Sequence, residues 1–122
     1  MDCIFCKIIK GEIPSTILYD DEKYLAILDL DQSHLAHSII FPKEHIEDYT
    51  MLNGEQLKEM FDIAKIVSQK IMEKFSISGV SFTFNYGSLQ EVKHVHLHIL
   101  PDKENENSLE IQDIYSKLKD ED

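Results

Sequence analysis

A long amphipathic helix is the feature that most constrains how this chain can fold. Between residues 55 and 75, apolar side chains recur at intervals of three and four, which is the spacing of one helix face. They are Leu57, Met60, Phe61, Ala64, Val67, Ile71 and Phe75. Asn53 and Gln56 stand where they can cap the first turn reciprocally. The helix must therefore pack on an apolar partner.

Five segments with strand-like patterns can provide that partner. Short apolar or alternating runs, separated by turn residues, predict strands over residues 17–20, 23–30, 38–42, 80–85 and 94–100. Further apolar patterns predict a short helix before Gly11 and another over residues 108–120. Strands and helices do not alternate regularly along the chain. The sequence therefore predicts an α+β fold, an antiparallel sheet of about five strands covered by helices, as a single domain over residues 1–122.

Ile66 is an apolar residue on the polar side of the long helix. At about 100° per residue it falls among Glu59, Asp62 and Glu73. An isolated exposed apolar side chain is common on protein surfaces. The alternative is that Ile66 marks a contact between subunits, and the sequence leaves both interpretations open.

The charge of the chain excludes some classes of partner. With 12 basic and 23 acidic residues, the net charge is -11, so the surface should repel nucleic acid polymers. One small phosphorylated ligand in a local pocket stays compatible with this charge. No basic leader and no apolar run of membrane-spanning length is present. We therefore expect a soluble, cytoplasmic protein without a membrane partner.

Three alternating histidines are the densest chemical signal. In a strand, His94, His96 and His98 share one face, with about 6.6 Å between the Cα atoms of neighbouring histidines, while the intervening apolar side chains face the core. Three interpretations compete: a solvated polar face, a metal site, or nucleophilic catalysis by one imidazole assisted by the others. The third interpretation needs an orienting group and a phosphate cradle elsewhere in the chain.

The blocks around these histidines resemble a known family. The run QEVKHVHLHIL, together with CIFCKIIKGEIPS, LAILDL, AHSIIFPKEHI and NYGS in this order, is similar to the histidine triad (HIT) nucleotide-binding family. The resemblance is strongest to its small nucleoside phosphoramidases and to their bacterial zinc-containing relatives. It implies a HIT-like fold and a homodimer that cleaves a P–N or P–O bond at the α-phosphate of a purine nucleotide. It also implies that the chemistry needs no metal.

The resemblance assigns roles residue by residue. It implies that His96 is the nucleophile that becomes nucleotidylated, and that His98 contacts phosphate oxygens and carries the proton for the leaving group. His94 completes the triad, and His37 supports it from a neighbouring strand. A neutral imidazole suits this role because its reference pKa lies near 6.5 and its P–N adduct can be hydrolysed.

Further matches concern the nucleotide. The resemblance implies that Asn85 and Gln90 contact the phosphate and that Asp29 binds the ribose hydroxyls, since a carboxylate can accept two hydrogen bonds. Five apolar residues match the walls around the purine, although ordinary core packing is an equally good interpretation. They are Ile4, Phe5, Ile8, Ile27 and Leu30.

Three positions depart from the family pattern near the phosphate. Glu91 stands where many relatives have Ser or Thr, and we expect its carboxylate to point outward. Leu89 replaces a glycine that is frequent before the glutamine, and Asp102 stands where a basic residue is common. Highly charged substrates such as long dinucleoside polyphosphates are correspondingly disfavoured.

Cys3 and Cys6 are spaced so that both sulfurs of a short helix can reach one ion. In zinc-containing relatives the matching pair is completed by two histidines, which here are His45 and His94. The resemblance thus implies a structural zinc ion, with free buried thiols or a redox pair as alternatives. His34 is expected to be a solvated loop residue.

Two other functions stay open at this point. One is dinucleoside polyphosphate hydrolysis through the same nucleophile. The other, which the departures at Glu91 and Leu89 favour, is a nucleotide-binding, zinc-stabilised interaction module with little turnover.

Overall fold

The five strands form one antiparallel sheet, in which the first three strands lie side by side in chain order and the fifth lies between the third and the fourth. The computed structural model describes residues 3–119, so the predicted end of the last helix at Asp120 and the outermost residues of the predicted domain lie outside it. The strands are β1 Ile17–Asp20, β2 Tyr24–Leu28, β3 Ser38–Pro42, β4 Val80–Phe84 and β5 Leu97–Pro101. The helices are α1 Ile4–Ile9, α2 Gly54–Phe75 and α3 Ile111–Lys119, and the predicted α+β architecture is confirmed.

Helix α2 begins with the predicted capping box. The Asn53 side chain accepts from the Gln56 backbone N–H, and the Gln56 side chain accepts from the Asn53 backbone N–H. Its buried face packs on the sheet, but Phe61, which the apolar pattern placed there, is 44% exposed. Phe61 instead contacts Phe82 and Phe84 of the edge strand β4. No helix within residues 3–119 is long and apolar enough to cross a membrane.

Both faces of the central strands are buried. One face of the sheet packs with α2 and α3, and Ala26 of β2 and Ile40 of β3 belong to that core. Leu25 and Phe41 face the other way, into a smaller cluster with Cys3 and Phe5 under α1. Strands β2 and β3 therefore carry continuous apolar runs, as strands covered on both faces must. Helix α1 is the cover of the second face.

The histidine segment enters the sheet later than predicted. Strand β5 begins at Leu97, so His94 and His96 precede it, although the sequence predicts a strand from residue 94. The alternation nevertheless holds, because Val95, Leu97 and Ile99 all lie in the core under α2. The Val95 N–H donates to the Ile46 carbonyl oxygen instead of to a neighbouring strand. The extended backbone thus continues beyond the ladder and still separates the histidines from the apolar residues.

Candidate active site and metal centre

A cavity of about 410 Å³ lies beside α1, the end of β2 and the histidine segment. Most residues that the sequence assigns to nucleotide binding line it, together with two of the three triad histidines. They are Ile4, Phe5, Ile8, Ile27, Asp29, Leu30, Asn85, His96 and His98. His37 and His94 lie behind this wall, where they contact the lining histidines.

His96 is held in one tautomer by the backbone. Its Nδ1 lies 2.8 Å from the carbonyl oxygen of His94. A carbonyl oxygen only accepts, so Nδ1 carries the proton and Nε2 of the neutral ring carries a lone pair. The Phe5 ring meets the imidazole edge to face, with centroids 4.9 Å apart. His96 is therefore a buried, oriented imidazole with an unprotonated nitrogen.

His98 and His37 form a second oriented pair. His37 Nδ1 lies 3.2 Å from the Asp31 carbonyl oxygen, so it donates there and leaves Nε2 as an acceptor. His98 Nδ1 lies 2.9 Å from that His37 Nε2 and must donate to it. Nε2 of a neutral His98 consequently carries a lone pair. His37 thus fixes the tautomer of His98, as a supporting residue would.

Burial favours the neutral form of His94, His96 and His98 by lowering the pKa of each imidazole. Desolvation lowers the pKa of His96 and of His94 from the usual value. Desolvation, followed by the charges of His96 and His37, lowers the pKa of His98 to about 4. At neutral pH the lining histidines of the free protein are therefore neutral, with Nδ1 protonated and Nε2 not, which suits a nucleophile and a group that takes up a proton later.

Asp29 and Asn85, which the resemblance assigns to the ribose and the phosphate, both line the cavity. The Asp29 carboxylate is anchored at Oδ1, which accepts from the Asp31 backbone N–H at 2.8 Å. Its Oδ2 lies 3.8 Å from Nε2 of His37. Both residues follow strand ends, Asp29 directly after β2 and Asn85 directly after β4. The sheet thereby brings two polar side chains from distant parts of the chain to one cavity.

Gln90 does not line the cavity, contrary to the phosphate contact implied by the resemblance. The side chain is buried, and its Nε2 donates to the carbonyl oxygens of Glu47 and Val92 at 2.7 and 2.9 Å. Both amide hydrogens are thereby used, which leaves no donor for a phosphate oxygen. The structure places Gln90 as a brace between the loop before the triad and the loop after β3.

Of the three residues that depart from the family pattern, two lie in the wall of the cavity. Leu89 and Glu91 line the cavity, and both are exposed to solvent. Asp102 lies elsewhere, where its backbone N–H donates to the Gly79 carbonyl oxygen. No lysine of the described residues lines the cavity, and the chain contains no arginine. A bound phosphate would therefore depend on histidines and neutral donors.

A separate cluster joins α1 to the triad. Cys3, Cys6, His45 and His94 offer ligand atoms that all lie within 4.8 Å of one another. Cys3 Sγ and Cys6 Sγ lie 3.3 and 3.6 Å from His94 Nδ1, and Cys6 Sγ lies 3.3 Å from His45 Nδ1. The four residues predicted as zinc ligands are thus brought together.

This cluster fits a tetrahedral zinc ion. Bond lengths of about 2.3 Å to sulfur and 2.0–2.1 Å to nitrogen put tetrahedral S and N ligands roughly 3.6 Å apart, close to the separations found here. His94 Nε2 lies 2.8 Å from the Pro42 carbonyl oxygen, so Nε2 carries the proton and Nδ1 faces the sulfurs with its lone pair. Burial raises the pKa of the Cys6 thiol, with a further rise from Cys3. A cation between the sulfurs would favour the thiolates.

Several residues that shape the site were not predicted. Asp31 and Pro42 act through carbonyl oxygens, and Glu47 and Val92 receive the Gln90 amide in the same way. A backbone acceptor leaves no signal in residue type, so sequence patterns could not reveal these contacts. The exposed His34, in contrast, lies outside both histidine clusters, in agreement with the expectation of a solvated loop residue.

Comparison with known proteins identifies the family. The model of the HIT domain matches residues 10–105. The chain belongs to the HIT domain family. This HIT domain is 39% identical over 102 residues to the protein hit of Bacillus subtilis, covering 82% of this chain and 70% of that protein. The family is a superfamily of nucleotide hydrolases and transferases.

Two further relatives bear on activity and metal. The adenylylsulfatase HINT3 of Arabidopsis thaliana is 34% identical over 105 residues, which is 84% of this HIT domain chain and 53% of HINT3. The crystal structure of a Zn-bound histidine triad family protein from Mycobacterium smegmatis superposes with a TM-score of 0.86 at 28% identity, covering 98% of this chain and 91% of that one. The cysteine and histidine cluster, with this zinc-bound relative, points to zinc.

Proposed function

We propose that this HIT protein is a nucleoside phosphoramidase, which cleaves the P–N or P–O bond at the α-phosphate of a purine nucleotide. One observation carries the proposal: the His94 carbonyl fixes the proton of His96 on Nδ1 and leaves Nε2 as a nucleophile in the wall of the cavity. Membership of a family of nucleotide hydrolases and transferases supports the class of reaction.

Substrate binding follows from the lining of the cavity. The purine packs among the apolar side chains of α1 and the end of β2, where Leu30 is 84% exposed and free to cover a base. The Asp29 carboxylate accepts hydrogen bonds from the ribose hydroxyls. The α-phosphate then lies against the histidines, because the sugar and the base occupy the other end of the cavity.

The reaction has two displacement steps. In the first, Nε2 of His96 attacks phosphorus, a P–N bond to His96 forms, and the bond to the leaving nitrogen or oxygen breaks. The negative phosphate favours protonation of His98, which passes a proton from Nε2 to the leaving group. In the second step, water attacks phosphorus and gives a proton to His98, and the P–N bond to His96 breaks to release the nucleotide.

The test compares two histidine variants. We expect His96→Ala to lower kcat/KM for an adenosine phosphoramidate by at least about 10³-fold, since the nucleophile is removed. His34→Ala, in an exposed loop outside the cavity, is the matched control and should retain wild-type turnover. Circular dichroism verifies that both variants fold. Equal turnover by His96→Ala and the wild type would refute the mechanism.

Phosphoramidate hydrolysis is favoured over dinucleoside polyphosphate hydrolysis by the charge of the site. Glu91 lines the cavity, and no lysine among the described residues does, so additional phosphates would meet an anion. Turnover of the two substrate types should therefore differ in favour of the phosphoramidate.

The same Glu91 also motivates the third candidate, a binding module. Calorimetry that detected purine nucleotide binding while no substrate was hydrolysed would favour that candidate.

Cys3, Cys6, His45 and His94 would hold a structural zinc ion, and the catalytic steps need no metal. The ion would cross-link α1 to His94, which lies two residues before the proposed nucleophile His96. With α1 fixed, Phe5 stays against the ring of His96. We therefore propose that zinc stabilises the wall of the cavity.

We further propose that the protein is a cytoplasmic homodimer without nucleic acid or membrane partners, in keeping with its charge of -11. The sequence suggests Ile66 as the contact, and it is 57% exposed. A second candidate is the aromatic surface, defined here as Tyr49, Phe61, Phe82 and Tyr86, all of which are exposed. Phe84 contacts both Phe61 and Tyr49, and it thereby joins the Phe61–Phe82 pair to the Tyr49–Tyr86 pair along β4. Among the described strands, β4 pairs only with β5.

A further inference from the structure

A second group of metal-binding atoms lies in the active site, apart from the cysteine cluster. Asp29, His37 and His98 each offer one ligand atom, and these atoms lie within 4.8 Å of one another. His37 Nε2 is 2.9 Å from His98 Nδ1 and 3.8 Å from an Asp29 carboxylate oxygen. Two imidazoles and one carboxylate are a donor set that transition metals bind, with coordination positions left open.

The protons of the two rings are arranged so that an ion can replace one of them. His37 donates from Nδ1 to the Asp31 carbonyl oxygen, which is how a metal-bound histidine is held in place. Its Nε2 lone pair therefore faces the cluster. Only the Nδ1 proton of His98 stands between the two rings, and Nε2 of His98 can receive that proton. An ion can thus enter while both rings remain neutral.

The separations suit a small divalent ion. Bonds of about 2.0–2.1 Å to imidazole nitrogens put two adjacent ligands roughly 2.9–3.4 Å apart, depending on whether the geometry is octahedral or tetrahedral. The 2.9 Å between His37 and His98 falls in this range. The 3.8 Å to the Asp29 carboxylate exceeds it slightly, and a small side-chain rotation closes the difference, since the Asp29 side chain is 24% exposed.

The surrounding charge favours a cation. Asp29 and Glu91 both line the cavity, and no lysine of the described residues lines it. The net charge of -11 adds a weaker attraction of the same sign. A divalent cation therefore meets no positive side chain in the cavity wall.

We infer that Asp29, His37 and His98 form a second, exchangeable site for a transition metal such as Zn²⁺, and that metal bound there inhibits the protein by competing with the nucleotide. Competition follows because the ion takes the Asp29 carboxylate that the ribose hydroxyls need, and because it occupies the cavity beside His98. The inhibitory consequence rests on the proposed function, whereas metal binding by these three side chains does not.

The test is a calorimetric titration of purified protein, already carrying one equivalent of zinc, with further Zn²⁺. We expect a second binding event, weakened at least about tenfold in Asp29→Asn and in His37→Ala, because each variant lacks a ligand. His34→Ala is the matched control, an exposed histidine outside the cluster, and should bind as the wild type does. No second event, or equal affinity in all variants, would overturn the site.

Competition is measured in the same instrument. Saturating AMP should weaken the second Zn²⁺ event at least about tenfold, since the ligands overlap, while leaving the first equivalent in place. Unchanged affinity in the presence of AMP, in protein shown by the same calorimetry to bind AMP, would overturn the inhibition. A protein that binds the second ion with this variant pattern but never hydrolyses a nucleotide would refute the proposed function and leave the metal site intact.

Discussion

The roles of individual histidines depend on which carbonyl oxygen each ring meets. His94, His96 and His37 each donate to a backbone carbonyl, and each donation fixes the other ring nitrogen as an acceptor. His98 has no carbonyl partner at its ring among the described contacts and donates to His37 instead. In the proposed function, chemically identical residues thereby take different roles. His94 is a metal ligand and His96 the nucleophile, while His37 supports His98, which carries the proton.

Ile4 and Phe5 of α1 both line the cavity, but only Phe5 is also packed into the core. Phe5 is buried and stacks on Phe41 with centroids 4.5 Å apart, so Phe5→Ala should lower the free energy of unfolding by about 3 kcal/mol or more. Ile4 lines the cavity but is 40% exposed, so Ile4→Ala should cost less than about 1 kcal/mol while raising KM. Urea unfolding and steady-state kinetics provide the two measurements. Equal losses of stability would contradict this division.

At the scale of elements, α1 is a six-residue helix that its own hydrogen bonds cannot hold in place. It is fixed by the Phe5 stack and by the cluster of Cys3, Cys6, His45 and His94. The cluster also contains the residue whose carbonyl orients His96. The conformation of the histidine segment and the position of α1 are therefore linked through one group of side chains.

Removing zinc should loosen this element. Protein never exposed to added metal should contain about one zinc ion per chain, and a chelator should lower its melting temperature, since a ligand at 100 times its Kd adds about 2.7 kcal/mol to stability. Trypsin should then cleave faster after Lys10, the exposed C-cap residue that follows α1. Cys6→Ser should lack both the metal and the response to chelator. Zinc content near zero in the wild type would remove the proposed site.

At the scale of the whole molecule, exposed apolar side chains on α2 point in two directions. Phe61 and Ile66 are five residues apart, which places them about 140° apart around the helix. Phe61 lies against β4, while Ile66 lies beside Tyr19 and Lys70, toward the opposite edge of the sheet. A dimer that uses both sides of the helix at once would need two separate interfaces.

Light scattering on two matched variants distinguishes these surfaces. We expect Phe61→Glu to halve the mass of the dimer, because a carboxylate within the aromatic surface would be buried without a partner. Ile66→Glu tests the contact suggested by the sequence, and an unchanged mass would contradict that contact. A wild-type mass corresponding to one chain would refute the dimer itself.

Much of the fold was predictable because it depends on local periodicity. The capping box and length of α2, the strands and the antiparallel architecture follow from the spacing of apolar residues, as does the face shared by the histidines. The start of β5 was not predictable in this way, because the partner of Val95 is a loop carbonyl at Ile46. The prediction that Phe61 lies on the buried face was also wrong. Helical spacing does not reveal that Phe61 lies beside β4, the strand at the edge of the sheet.

The sequence by itself determined which residues are available for chemistry, because the triad, the cysteine pair and the cavity residues are recognisable by type and order. Only the tertiary structure decided what several of them do. Gln90 became a loop brace and Glu91 a wall of the cavity, and the second metal-binding group arose from Asp29, His37 and His98, which lie on three different segments. The physical reason is that proton positions and ligand sets depend on distances between distant backbone segments, which residue order along the chain does not specify.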